Sequence, residues 1–177
     1  EVWMGPGWDP ESCAGRLAAI PGAAVRFLSR GDQRAVGRWK LTVLHPDPDE
    51  RRGENERSLV LLAEASGHRV LLTGDVESWA EQSLLSCCAA ELRADILKVA
   101  HHGSRTSTSE SFLEAVHPRL ALISVGQRNV YHHPSPVVVE RLQAHAVRVL
   151  RTDCDGVIAV SWGERGQTRI ELPGGPR

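Results

Sequence analysis

Short runs of β-branched and aliphatic residues recur along the chain and predict eight strands: Ala24 to Leu28, Trp39 to Leu44, Ser58 to Glu64, Arg69 to Thr73, Ile96 to Val99, Leu120 to Val125, Val147 to Leu150 and Val157 to Trp162. The third and fourth runs are separated by Ala65-Ser66-Gly67-His68, whose glycine accepts the positive φ of a tight turn, so these two strands are expected to run antiparallel. Helical spacing appears at Glu77 to Leu92, where Leu84, Leu85, Cys88 and Leu92 share a face, and again at Ser109 to Val116 and Pro136 to Ala144. Pro136 suits a first helical turn with Ser135 as its cap. Antiparallel strands followed by alternating strand and helix predict an α/β (α+β) layered domain. The stretch from Pro46 to Glu56, with two prolines, one glycine and seven charged residues, reads as a solvated loop within one domain spanning 1–177.

Composition narrows the picture by exclusion. A chain of 177 residues with 41% hydrophobic and 24% charged residues can bury a core and is not disordered. Its formal net charge of −1 supplies no global field for nucleic acid or anionic lipid, so any phosphate binding must be local. The cysteines Cys13, Cys87, Cys88 and Cys154 form no C-x-x-C pair; adjacent Cys87 and Cys88 are poorly spaced for one metal or one unstrained disulfide, and all four read as buried small apolar residues. No apolar run approaches the roughly 20 residues that span a bilayer, and the chain is expected to be soluble.

Candidate chemistry sits at strand ends. Val70 to Thr73 runs into Gly74-Asp75, Ile96 to Ala100 into His101-His102-Gly103-Ser104, and Leu120 to Val125 into a segment ending at His132-His133-Pro134. Each ending has a bland reading: a Gly-Asp turn, exposed loop histidines. Three together favour a site, because carboxylate plus imidazole suits zinc or manganese and strand ends commonly carry active sites. His45, His68, His117 and His145 lack neighbouring ligands and are assigned no role. Ser104 and the Thr106 to Ser109 stretch either cap the next helix or donate to phosphate oxygens, while Arg105 and Arg128 are either solvated loop residues or phosphate clamps.

The segments L-L-T-G-D at Leu71 to Asp75, A-D-I-L-K-V-A-H-H-G-S at Ala94 to Ser104 and G-Q-R-N-V-Y-H-H-P at Gly126 to Pro134 resemble the metallo-β-lactamase superfamily. More narrowly, they resemble the C-terminal hydrolase domain of the ComEC family of DNA-internalisation competence proteins, to which E-N-E-R-S-L-V-L at Glu54 to Leu61 is also similar. The resemblance, covering about Trp39 to Trp162, implies an αββα sandwich with two divalent metals, zinc or manganese, at one edge. It makes Asp75 the bridging carboxylate, His102 the favoured ligand of the second metal and His101 its substrate-facing neighbour. It casts Asp75, His101 and His133 as catalytic, and Ser104, Arg128, Asn129 and His133 as substrate contacts. His132 stands where relatives have glycine, and Asn55 near where many have a further metal-binding histidine.

The superfamily's H-x-H-x-D-H motif occurs nowhere in the 177 residues, which implies that the chain is the C-terminal part of a truncated domain, with weak metal binding and little turnover by itself. The resemblance further implies phosphodiester cleavage of one DNA strand during uptake, with DNA and a membrane channel portion of the same parent chain as partners. The domain would then be a soluble part of a bacterial cell-membrane protein. Two other readings stand beside this: a stand-alone hydrolase of a small ester or phosphodiester, and a metal-deficient structural or DNA-binding module.

Overall fold

Seven strands lie side by side in the order of the chain, and that order determines where everything else goes. The computed structural model describes residues 1–6, 16, 19–22, 24–163 and 166–173. The main sheet comprises β3 (Gln33–Val36), β4 (Trp39–His45), β5 (Val60–Ala65), β6 (His68–Leu72), β7 (Ile96–Lys98), β8 (Leu120–Ile123) and β9 (Arg148–Arg151). Pairing is antiparallel from β3 to β6 and parallel from β6 to β9. The switch follows from the connections. The β5–β6 link is the expected hairpin, Ser66 and Gly67 both taking positive φ (51° and 80°) as a type I′ turn requires. Each parallel pair is joined through a helix: α1 (Ser78–Cys88), α2 (Glu110–Val116) and α3 (Pro136–Ala144).

The register sorts side chains by face. Leu71, Leu97 and Ala121 pair across β6, β7 and β8 and belong to the main core, with Leu84 of α1, Phe112, Leu113 and Val116 of α2, and Val138 and Leu142 of α3. All three crossover helices therefore cover one face. Val70, Ile96 and Leu120, one residue earlier, point the other way and pack with Leu150, Trp162 and Ile170. This second layer is a hairpin of β10 (Ala159–Trp162) and β11 (Thr168–Glu171), antiparallel, with Trp162 stacked on His68 at 4.8 Å and edge-on to Trp39 at 5.6 Å. A parallel pair of β1 (Val2–Met4) and β2 (Val25–Phe27) completes the described strands. The mixed α/β architecture agrees with the expected class. No helix among the described residues is long and apolar enough to cross a membrane.

All eight predicted strands form, with ends moved by a residue or a few, while β1, β3, β11 and the short helix α4 (Thr152–Asp155) carry too little apolar pattern to announce themselves. Pro136 opens α3 after Ser135 as expected. Three expectations are corrected. Helix α1 stops at Cys88 rather than Leu92, although Leu92 is still buried. Cys87 and Cys88 are not simple apolar fillers: they are bonded to each other where the chain leaves α1 and neighbouring side chains can converge, with Cys88 buried and Cys87 exposed. Cys154 is exposed too, and Cys13 lies outside the described residues. The 46–56 loop is less solvated than its charges suggest, because Glu50 is buried and accepts the Arg51 and Arg52 amides at 2.8 and 2.7 Å, with the Arg52 guanidinium 3.4 Å above the Trp79 ring.

Two buried ionisable groups tie the helical layer to the sheet. Glu81 of α1 is fully buried and accepts the amides of Thr108 and Ser109, the latter at 2.8 Å, so a carboxylate from another helix caps α2. This corrects the expectation that a serine or threonine of the 104–109 stretch is the cap; Ser109, at the cap position, makes no capping bond through its side chain. Burial pushes the Glu81 carboxyl up, opposed by these donors. His45, at the end of β4, is buried edge-on to Trp79 with Nε2 2.6 Å from the Glu56 carbonyl, and burial lowers its pKa against the pull of that carbonyl.

Glu81→Ala leaves two amides without an acceptor and is expected to cost about 3 kcal/mol, measured as a lowered urea midpoint at unchanged slope. For His45 the sign is set by the depressed folded pKa. An unfolded imidazole binds its proton near pH 6.5, while the folded one resists until lower pH. The unfolded state therefore holds more protons in that window. Stability from this group is constant above about pH 6.5 and falls as pH drops from there toward the lower folded value. His45→Gln, which can still donate to the Glu56 carbonyl, should flatten this part of the stability profile; parallel profiles for the two proteins would refute the assignment.

Candidate metal and substrate site

Because β6, β7, β8 and β9 are parallel, their C-terminal ends open on one edge of the sheet, and antiparallel β5 begins at that same edge. Asp75, His101-His102, His133 and Thr152 are thereby gathered from four strand ends, with Asn55 and Ser58 arriving from the start of β5. Gly74 is required here: its φ is +54°, and a Cβ would stand 2.7 Å from the Ser58 Cβ. That close approach lets the Asp75 amide donate to Ser58 Oγ at 3.1 Å. Thr73 Oγ1 donates to the Lys98 carbonyl at 2.6 Å, and the His101 amide to the Gly74 carbonyl at 3.2 Å, locking the ends of β6 and β7 together.

Both histidines occupy the left-handed region, His101 at φ 46°, ψ 44° and His102 at φ 54°, ψ 22°. Consecutive non-glycine residues there cost about 1–2 kcal/mol each and persist only where the surroundings enforce them. Ser107 does so by donating to the Ala100 and Ser104 carbonyls, both at 3.0 Å. The strain turns the two imidazoles apart. His102 Nδ1 lies 2.6 Å from the Ser124 carbonyl. A carbonyl only accepts, so Nδ1 carries a proton, and Nε2 is directed toward Asp75 Oδ1, 3.8 Å away. His101 Nδ1 turns instead to Glu77 Oε1 at 3.1 Å, at ion-pair distance but outside hydrogen-bond alignment, and the same oxygen accepts from Asn55 Nδ2 at 3.0 Å.

The His133 ring stands edge-on to His101, centroids 5.7 Å apart; burial, then His101 and His102, push its pKa down. Its segment is held by Asn129, whose Oδ1 accepts the His133 amide and whose Nδ2 donates to the His133 carbonyl, each at 2.8 Å. His132 has φ 56°, the conformation that a glycine would take there, so histidine does not alter the backbone path. Gly103 allows the segment to approach, since a Cβ on it would stand 2.6 Å from the Pro134 Cβ. Ser104 is buried with its hydroxyl engaged by Thr106 at 3.0 Å, whereas Arg128 is exposed on the loop.

These donors suffice for at most one edge of a cation site. Asp75 and His102 face a common space, and both side chains are over 40% exposed. No cluster of three or more His, Cys, Asp or Glu residues able to hold a metal occurs among the described residues. Residues that sequence reasoning passed over are Glu77, Ser58, Thr152 and Lys98. Glu77 is two positions after Asp75, a spacing that could have flagged it. The Lys98 register puts its side chain on the face away from the helices, where burial lowers the ammonium pKa and Asp75 partly restores it.

The chain is similar to curated competence proteins. It is 40% identical over 158 residues to ComE operon protein 3 of Bacillus subtilis, covering 89% of this chain and 20% of that protein. It is 40% identical over 121 residues to competence protein ComA of Neisseria gonorrhoeae (67% and 18%), and 37% identical over 130 residues to recombination protein 2 of Haemophilus influenzae (73% and 16%). The chain thus spans a fifth or less of the length of these relatives. No protein-family profile matches. Among solved structures, a protein described as a metal-dependent hydrolase of Parabacteroides distasonis aligns with a TM-score of 0.47 at 14% identity, over 73% of this chain and 58% of that one. Over most of its own length the chain is therefore similar to one segment of competence proteins of the ComEC type.

The strain at His102 can be separated from the loss of its ring by comparing two variants that both lack it. His102→Gly should be more stable than His102→Ala by about 1 kcal/mol, because only glycine enters the left-handed region freely. Equal stabilities in urea titrations would show that the backbone is relaxed at this position.

Proposed function

We propose that this chain supplies the Asp75–His102 edge of a divalent-metal site in a phosphodiesterase acting on DNA, the remaining ligands lying beyond the described residues. The observation that carries the reading is the pairing of Asp75 with an imidazole whose Nδ1 is committed to the Ser124 carbonyl, which leaves Nε2 as a lone-pair donor. Metal-binding histidines are commonly oriented by such a second hydrogen bond. Zinc or manganese held there would supply Lewis acidity and a low-pKa water.

The residues of the chain divide the other tasks. Asp75 and His102 would hold the ion; His101, beside Glu77, and His133, anchored by Asn129, would donate hydrogen bonds to phosphate oxygens. Exposed Arg128 would add a cation at the rim, and Ser104 would act by shaping the turn. DNA as substrate and a membrane channel elsewhere in the parent chain are supported by the competence role named for the relatives.

The test is metal analysis and single-stranded DNA cleavage with added Mn²⁺, on the intact parent and on its Asp75→Asn and His102→Ala variants. Each substitution should weaken metal binding at least 10-fold and lower cleavage by a larger factor. The 177-residue chain alone should bind metal weakly and turn over little. A parent that binds no metal, with cleavage unchanged by Asp75→Asn, would dispose of the proposal.

A further inference from the structure

Beside His102 the sheet edge opens into a cavity of about 450 Å³, within the roughly 300–1,000 Å³ typical of small-ligand sites, and an aromatic side chain without any role in the core stands at its mouth. Tyr131 is 76% exposed. Its ring lies nearly parallel to that of His133, centroids 5.9 Å apart and planes inclined by 21°, and His133 in turn is edge-on to His101. A row of rings therefore leads from solvent to the strand-end histidines. Val125, Gly126, Thr152 and His102 line the cavity together with Tyr131 and His133. The loop is braced: Asn129 spends its side-chain amide on three main-chain bonds, to Gly126 and twice to His133, and Thr152 Oγ1 donates to the Val125 carbonyl at 2.8 Å.

An exposed loop tyrosine is ordinarily unremarked, but this one stands parallel to His133 on a braced loop, which lowers the cost of ordering the backbone when a flat ligand stacks on it. The charge of the chain points the same way. With a formal net charge of −1 the chain as a whole sets up no basic field, so stacking of bases near the site would add affinity that long-range charge does not supply. A base in a duplex has its faces occupied by neighbours, whereas an unpaired base offers one to an aromatic ring.

We propose that Tyr131, backed by His133, is a stacking platform for an unpaired nucleobase adjacent to the phosphodiester held at Asp75 and His102, so that the site takes single-stranded nucleic acid with little preference for sequence. The inference rests on the nucleic-acid reading of the site given above.

The test measures binding of the 177-residue chain to a short oligothymidylate and to the same sugar-phosphate backbone without bases. Wild type, Tyr131→Ala and Tyr131→Trp are compared in the absence of metal. The wild type should prefer the base-bearing strand by about 10-fold. Tyr131→Ala should remove that preference while leaving affinity for the base-free strand unchanged, and Tyr131→Trp should keep it. If the wild type binds both strands equally, or Tyr131→Ala retains the preference, the platform is wrong while the nucleic-acid reading stands. If neither strand binds at millimolar concentration, that reading fails and the platform with it.

Discussion

The parallel pairing of β6, β7, β8 and β9 is the constraint on which the rest of the structure depends. Parallel neighbours cannot be joined by hairpins, so the chain returns each time through a helix, and one face of the sheet is covered as a consequence. The same pairing makes four chain segments end at one edge. Asp75, the two adjacent histidines, His133 and Thr152 are up to 77 positions apart in the chain, yet they face one another because their strands stop together. No local interaction among them is needed for assembly, which frees their side chains for other work.

That freedom is used at a cost to the backbone. His101 and His102 sit in a conformation that disfavours any residue with a Cβ, and the bonds that enforce it are main-chain carbonyls and short hydroxyls from the same edge. The result is divergence: one imidazole points to Asp75, the other to Glu77. An extended chain would put successive side chains on opposite faces, and a helix would splay them by about 100°, so neither offers this pairing. Gly74 and Gly103 serve the same end, each admitting a neighbour that a methyl group would exclude.

The second face of the sheet is organised differently. Among the described residues the β10–β11 hairpin covers it over β6 to β9, with Trp162 between His68 and Trp39, while Leu72 remains 38% exposed and Lys98 is half-buried near Asp75.

Local pattern alone was enough to read eight strands, the three crossover helices, the β5–β6 hairpin and the positions of Asp75, His101, His102 and His133 after strand ends, because each rests on periodicity or a glycine within a few residues. The sequence was silent on β1, too short a run to stand out, and on β3 and β11, polar edge strands that form by hairpin pairing with β4 and β10. It suggested a serine cap for α2, whereas Glu81, 28 residues before Ser109, supplies it, a contact that only helix packing creates. Which imidazole faces Asp75 was likewise beyond local reading, since it depends on the Ser124 carbonyl of the next strand and on φ values that no residue in the pair prefers. Residue types and their order along the chain determined which groups reach the edge; the tertiary structure, through long-range main-chain bonds, decided where each one points.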